Sequence, residues 1–261
     1  MRALRRSTVV AAVLVLLLAV AGTASADQVS NGGTVYRSTA LCVNVGSTIS
    51  NPGGAIESST TVDSLTRMYV PVWKQWVDCA RTWDRPPWNM AAKLQLLVYD
   101  FSTSAWGLCR SPLDPINGDG FIYSNFTGSH MFINWNYGGN PPLPPCGTAW
   151  YATYSGGFVY NGEWYGGWVP SGNMWFAWPF YAAQAQAQPA RPEPPAWLRP
   201  DGGIDWATAP SEIPVHDGTT PAGHVSVREA FAPPAAPPSV VQKNHPPIPD
   251  GVVVRMTSAG N

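Results

Sequence analysis

Between residues 27 and 182 no apolar stripe holds helical spacing for more than two turns; period-two alternation bounded by turn residues recurs instead. In Lys93–Tyr99, Leu94, Leu96 and Val98 fall on one face. Phe121-Ile122-Tyr123, Met131–Tyr137 and the β-rich run Thr34–Val45 read as further strands. Trp150–Tyr154 and Phe158–Tyr160 lead into Asn161-Gly162, which fits a type I′ hairpin turn flanked by Tyr160 and Glu163, and Glu163–Trp168 returns. Residues 64–79 are ambiguous. Leu65, Met68, Val72, Trp76 and Cys79 match a helix face, but Pro71 in the middle would break it, so the segment reads as strand or irregular. The expected fold is all-β, a disulfide-stapled antiparallel sandwich or small barrel of about six to nine short strands.

The staples are Cys42, Cys79, Cys109 and Cys146, an even count at separations of 37, 30 and 37. Four cysteines allow three connectivities. Sequential pairing, Cys42–Cys79 and Cys109–Cys146, is favoured because it closes two equal loops. A zinc site is disfavoured because there is no Cys-x-x-Cys pair and His130 is the single histidine within the cysteine span. Cys79-Ala-Arg-Thr-Trp83 and Cys146-Gly-Thr-Ala-Trp150 share a Cys-x-x-x-Trp opening, a faint hint of two related halves.

Disulfides imply an oxidising compartment, and the N-terminus agrees. Arg2, Arg5 and Arg6 form a basic head, residues 8–20 an apolar run, and Ala24-Ser25-Ala26 a small-residue exit. That order reads as a signal peptide over 1–26, cleaved after Ala26, and hence a secreted chain. No later stretch is apolar enough for a membrane span. Near residue 182 the composition breaks. Residues 183–261 hold 15 of the 27 prolines but only Trp197 and Trp206 of the 13 tryptophans. They read as a Pro/Ala-rich, extended, disordered tail after a globular domain over 27–182, with His224–Val227 and Val252–Met256 able to pair locally or with a partner.

The run Cys79…Trp83-Asp84-Arg85-Pro86, then Leu94 to Trp106-Gly107-Leu108-Cys109, then Pro145-Cys146-Gly147 and Phe158–Trp164 resembles small exported proteins of high-GC Gram-positive bacteria with two disulfides and no assigned activity. The resemblance spans about residues 34–170. It implies export and a β-fold, and brings no catalytic residues with it.

Chemistry is conspicuous by what is missing. Gly-x-Ser-x-Gly, His-Glu-x-x-His and Walker patterns are absent. Ser129 beside His130 would point to the opposite face of a strand, so His130 reads as a hydrogen-bonding residue at a strand edge. Glu57, Asp63, Asp78, Asp84, Asp100, Asp114, Asp119 and Glu163 supply carboxylates for a hydrolase only if two of them face across a cleft. Asp114, Asn117 and Asp119 lack calcium-loop spacing and read as a plain turn. No cofactor is implied. With 15 Lys+Arg against 16 Asp+Glu, the chain as a whole has no basic surplus for a general attraction to nucleic acid or anionic lipid.

Aromatic surface is what remains. Phe158, Tyr160, Trp164, Tyr165 and Trp168 occupy both parities of the hairpin, so one of its faces shows rings to solvent or to a second layer. Rings flanked by Asn, Gly and Ser with few charges suit stacking on sugars. The expectation is a binding module for glycan or the cell envelope using Trp135, Tyr137, Trp164, Tyr165 and Trp168. A secreted hydrolase with a carboxylate pair and a structural or self-associating envelope protein are the alternatives.

Overall fold

The alternating segments fold as strands of two sheets in a computed structural model that describes residues 28–52, 55–110, 120–137, 145–176, 189–216, 221–235 and 252–257. The leader over 1–26, the Asp114–Asp119 turn and the start of the expected tail, 183–188, lie outside the described residues. The first sheet holds β1 (Gln28–Arg37), β2 (Cys42–Ser50), β3 (Glu57–Val70), β8 (His130–Asn136) and β13 (Val252–Thr257) in that order, with β4 (Gln75–Thr82) paired to β3. The second runs β10 (Trp164–Phe176), β9 (Ala149–Tyr160), β5 (Met90–Asp100), β6 (Ala105–Arg110), β11 (Glu212–His216) and β12 (Pro221–Ser226), with β7 (Ile122–Tyr123) on β5. Pairing is antiparallel except between β6 and β11, which meet in parallel at Leu108 and Val215. Among the described residues one five-residue helix, α1 (Val227–Phe231), follows β12. The all-β sandwich expected from alternation is the fold.

Inward-facing residues divide the interior in two. Val43, Val45, Val62, Met131 and Ile133 of the first sheet share a cluster with Met90, Ala92, Leu94 and Val159 of the second. Ile49 and Ile56 join Leu96, Val98 and Tyr151 nearer the other end. Between them runs a buried hydroxyl seam. Ser58 Oγ lies 2.5 Å from Thr153 Oγ1, Thr60 Oγ1 donates to Ser155 Oγ at 2.6 Å, and Ser155 Oγ donates to Ser47 Oγ at 2.8 Å. Each bond keeps a desolvated hydroxyl satisfied, which matters more than its net gain of about 1 kcal/mol. At Gly157 the sheets approach closely: a Cβ there would sit 2.5 Å from Val45 Cγ2 and 2.8 Å from Val62 Cγ2.

Each sheet has one disulfide. Cys42 bridges to Cys79 across β3, and Cys109 of β6 bridges to Cys146 just before β9, with Cα separations of 5.5 and 6.0 Å. Sequential pairing holds. The β9–β10 turn differs from the expected two-residue type I′. Tyr160 pairs with Trp164, so the loop spans 161–163, and within it Gly162 alone takes positive φ (+89°).

The largest departure concerns residues 183–261, expected to be a disordered tail. In the described portions β11 and β12 extend the second sheet, β13 adds to β8 in the first, and Trp197, Leu198, Ile213, Val227 and Phe231 are buried. The reason lies in the sheet they cover. The outer face of the second sheet carries Trp106, Trp150, Tyr154, Phe158 and Trp168, too much ring area to leave in water. Phe231, fully buried, meets Trp168, Trp197 and Tyr154 at ring-centroid distances of 5.0, 5.4 and 6.3 Å. A proline-rich strap lacks N–H groups but keeps its carbonyls, and the sheet supplies the donors. Asn173 Nδ2 donates to Pro192 O at 2.7 Å, Trp106 Nε1 to Glu193 O at 2.7 Å, and Gln95 Nε2 to Ala230 O at 2.8 Å.

Candidate functional site

The five aromatics singled out from sequence do not form one platform. Trp168 is 3% exposed and sits under the strap against Phe231, which removes it as a contact residue. The face that alternation turned outward has met a second layer rather than solvent. Trp164 is half-buried against Tyr160 and Tyr123, and Tyr165 is half-buried on Tyr36 at 4.6 Å between centroids. Trp135 of β8, in the other sheet, packs edge-to-face at 6.1 Å on Tyr137, just past the strand's end.

Exposed rings gather elsewhere, on the β3–β4 hairpin. Val72 is 88% exposed, Trp73 63%, Trp76 57%, Tyr69 46% and Met68 39%. Pairing explains why. β2 accompanies β3 only to Leu65, opposite Cys42, and β8 only to Asp63, opposite His130. From there β3 and β4 continue as a two-stranded ribbon paired Met68↔Val77, Tyr69↔Trp76 and Val70↔Gln75. Pro71, which argued against a helix, starts the turn: its fixed φ suits the second position of a type I turn, and Trp73 N donates to Val70 O at 3.1 Å. Lys74 follows at positive φ (+50°) and redirects the chain into β4. At the base, the register shifts between Thr66 and Met68, and Cys79 in the resulting bulge takes φ +56° and bonds to Cys42. The ribbon is therefore anchored where it leaves the sheet.

Its electrostatics are one-sided. Residues 66–81 carry Arg67, Lys74 and Arg81 against Asp78, in a chain with 15 basic and 16 acidic residues overall. The Arg67 guanidinium lies over the Trp76 ring, 4.6 Å from its centroid, a cation–π contact worth about 0.5–1 kcal/mol at an exposed site. Tyr69 and Trp76 meet edge-to-face at 5.6 Å and 62°. The sequence carried a signal for this element, a β-rich run on each side of Pro71 with apolar residues at both parities. That pattern belongs to a ribbon without a buried face.

A cavity of about 340 Å³ lies at the β5–β6 turn, lined by Tyr99, Asp100, Phe101, Ser102, residues 146–149 and His216. His216 was missed from sequence because it falls in the supposed tail. Its ring is buried beside Gly107, and its Nε2 has no partner. Asp100 accepts from Ser102 Oγ at 2.7 Å and Ser102 N at 2.8 Å, which is turn chemistry. The Ser102 hydroxyl bond is the main cause holding the Asp100 carboxyl below its ordinary range, with a smaller electrostatic contribution from His216.

Three of the other candidates, His130, Asp63 and Glu57, have structural employment. His130 Nδ1 lies 2.6 Å from Asp63 Oδ1, with both side chains about a third exposed, while neighbouring Ser129 is buried. Glu57 accepts from Asn136 Nδ2 at 3.0 Å. Among the described residues no group of three or more His, Cys, Asp or Glu is placed to hold a metal ion, and no helix is long and apolar enough to cross a membrane. No protein-family model, curated protein or solved structure matches this chain.

Proposed function

We propose that this chain is an exported binding module of the cell envelope and that its contact element is the β3–β4 hairpin. The observation that carries this reading is the concentration of Tyr69, Val72, Trp73 and Trp76 in solvent on a ribbon that, among the described residues, no other strand flanks. Exposed apolar patches of this kind mark interaction surfaces. The leader over 1–26 and the two disulfides support an extracytoplasmic setting. The element differs from the β9–β10 ribbon expected from sequence, where the strap covers Trp168 and other rings half-bury Trp164 and Tyr165.

The test is retention of the purified chain on insoluble envelope preparations. Wild type is expected to be retained, and Trp73→Ala with Trp76→Ala to wash through. Wild type that is not retained, or a double variant retained equally, refutes the proposal.

A further inference from the structure

We infer that the occupant of the β3–β4 hairpin is the interface of an anionic phospholipid bilayer, an inference that rests on the envelope-binding reading above. Three features of the ribbon argue for it. The first is the order of chemistry along its length. Pro71, Val72 and Trp73 form the tip, Tyr69 and Trp76 stand one step behind, and Arg67 and Arg81 lie towards the base. Apolar groups first, amphipathic rings next and cations last is the sequence of environments met from acyl boundary to phosphate. Lys74, at the tip, has a long stem that lets its ammonium reach back to the headgroups.

The second is reach. From the Leu65↔Thr82 pair to Val70 the ribbon advances five residues, about 17 Å at ~3.3 Å per residue. That exceeds the roughly 5–10 Å by which interfacial elements enter a bilayer, so the tip seats without forcing the sandwich into the headgroups. The backbone groups of the ribbon pair with each other at Met68–Val77 and Val70–Gln75, which lowers the cost of carrying peptide groups into the interface.

The third is charge. Three cations and one acid on this ribbon complement an anionic surface, while the chain as a whole is slightly acidic. A polysaccharide would ask for something else: coplanar rings beside amides and hydroxyls. Tyr69 and Trp76 are inclined at 62° and Arg67 covers one face of Trp76, so the ribbon offers no flat platform.

The experiment is co-sedimentation of the full mature chain with phosphatidylglycerol-containing vesicles, with pure phosphatidylcholine vesicles, and with insoluble cell-wall glycan. Binding to the anionic vesicles is expected, with a blue shift in tryptophan emission. Trp73→Ala is expected to lower it about tenfold or more, as is Val72→Asp. Lys74→Gln with Arg81→Gln is expected to lower it about fivefold per charge and to flatten its salt dependence. All these side chains are exposed, so melting temperature serves as the check that the fold is intact. Retention on glycan alone, lost in Trp73→Ala, overturns the lipid inference and leaves the envelope reading standing. Binding to none of the three overturns both, and vesicle binding unchanged in Trp73→Ala and Val72→Asp overturns the hairpin as the contact.

Discussion

Phe231 is where the reassigned C-terminal region is most exposed to refutation. Its ring is fully buried between Trp168, Trp197 and Tyr154, and its element, α1, is too short to be stable by itself. Phe231→Ala deletes a ring from a packed site, which typically costs about 3–5 kcal/mol. Three edge-on aromatic contacts place this case toward the upper half of that range. For a chain of this size such a loss lowers the melting temperature by about 6–20 °C. Urea unfolding followed by tryptophan emission measures it, with Trp168 and Trp197 as near reporters. An independent readout comes from Tyr154, whose phenol burial pushes well above its ordinary range. Its folded pKa is raised, so the stabilisation is complete below the unfolded value of ~10 and is lost as pH rises above it. Admitting water through the vacated Phe231 site is expected to bring the Tyr154 titration down, as seen in an alkaline absorbance titration. A loss below about 1 kcal/mol, with Tyr154 unmoved, would show that the strap does not seal the sheet.

Other perturbations probe separate parts of the argument. Replacing Cys42 and Cys79 by alanine opens a loop of separation 37 and is expected to cost about 3–4 kcal/mol on the chain-entropy account; limited proteolysis should then cut first within 66–81. Gly157→Ala forces a methyl against Val45 and Val62 and is expected to destabilise by about 1–3 kcal/mol in chemical denaturation. Ser102→Ala removes the main bond holding Asp100 low. A depressed carboxyl adds stability above its unfolded pKa of ~3.9 that is lost as pH falls, so the variant's Asp100 should titrate higher by NMR and its acid unfolding should begin at higher pH.

How much of this was legible in the residues varies by element. Leu94, Leu96 and Val98 alternate against a dry interior, and their shared face was plain. β3 was not, because its inward positions are Ser58, Thr60, Val62 and Ser64. A hydroxyl seam satisfied by partners almost a hundred residues away leaves no hydropathy trace. Equal cysteine spacing carried the right connectivity, yet the covering of Trp168 depended on a strap whose proline content reads as disorder. Proline density reports a shortage of donors and of regular structure. It does not report whether carbonyls at Pro192 and Glu193 have donors waiting on a nearby sheet. The hairpin was hidden for the opposite reason: with neither face buried, Met68 through Val77 obey no alternation, and Pro71 spoke only against a helix.

These differences separate what folds the chain from what meets the outside. Trp106, Trp150, Trp168 and Trp197 are each under a tenth exposed and are spent on the second sheet and its strap. Trp73 and Trp76 retain more than half their surface in water and contribute correspondingly little to burial. A solvent-facing tryptophan on a projecting ribbon adds aggregation risk without adding core. The Cys42–Cys79 bond pins that ribbon at its root, so the chain commits covalent bracing to an element its interior does not use. On the proposed reading stability and contact fall to different residues, and changes confined to Val72 and Trp73 should alter one without the other.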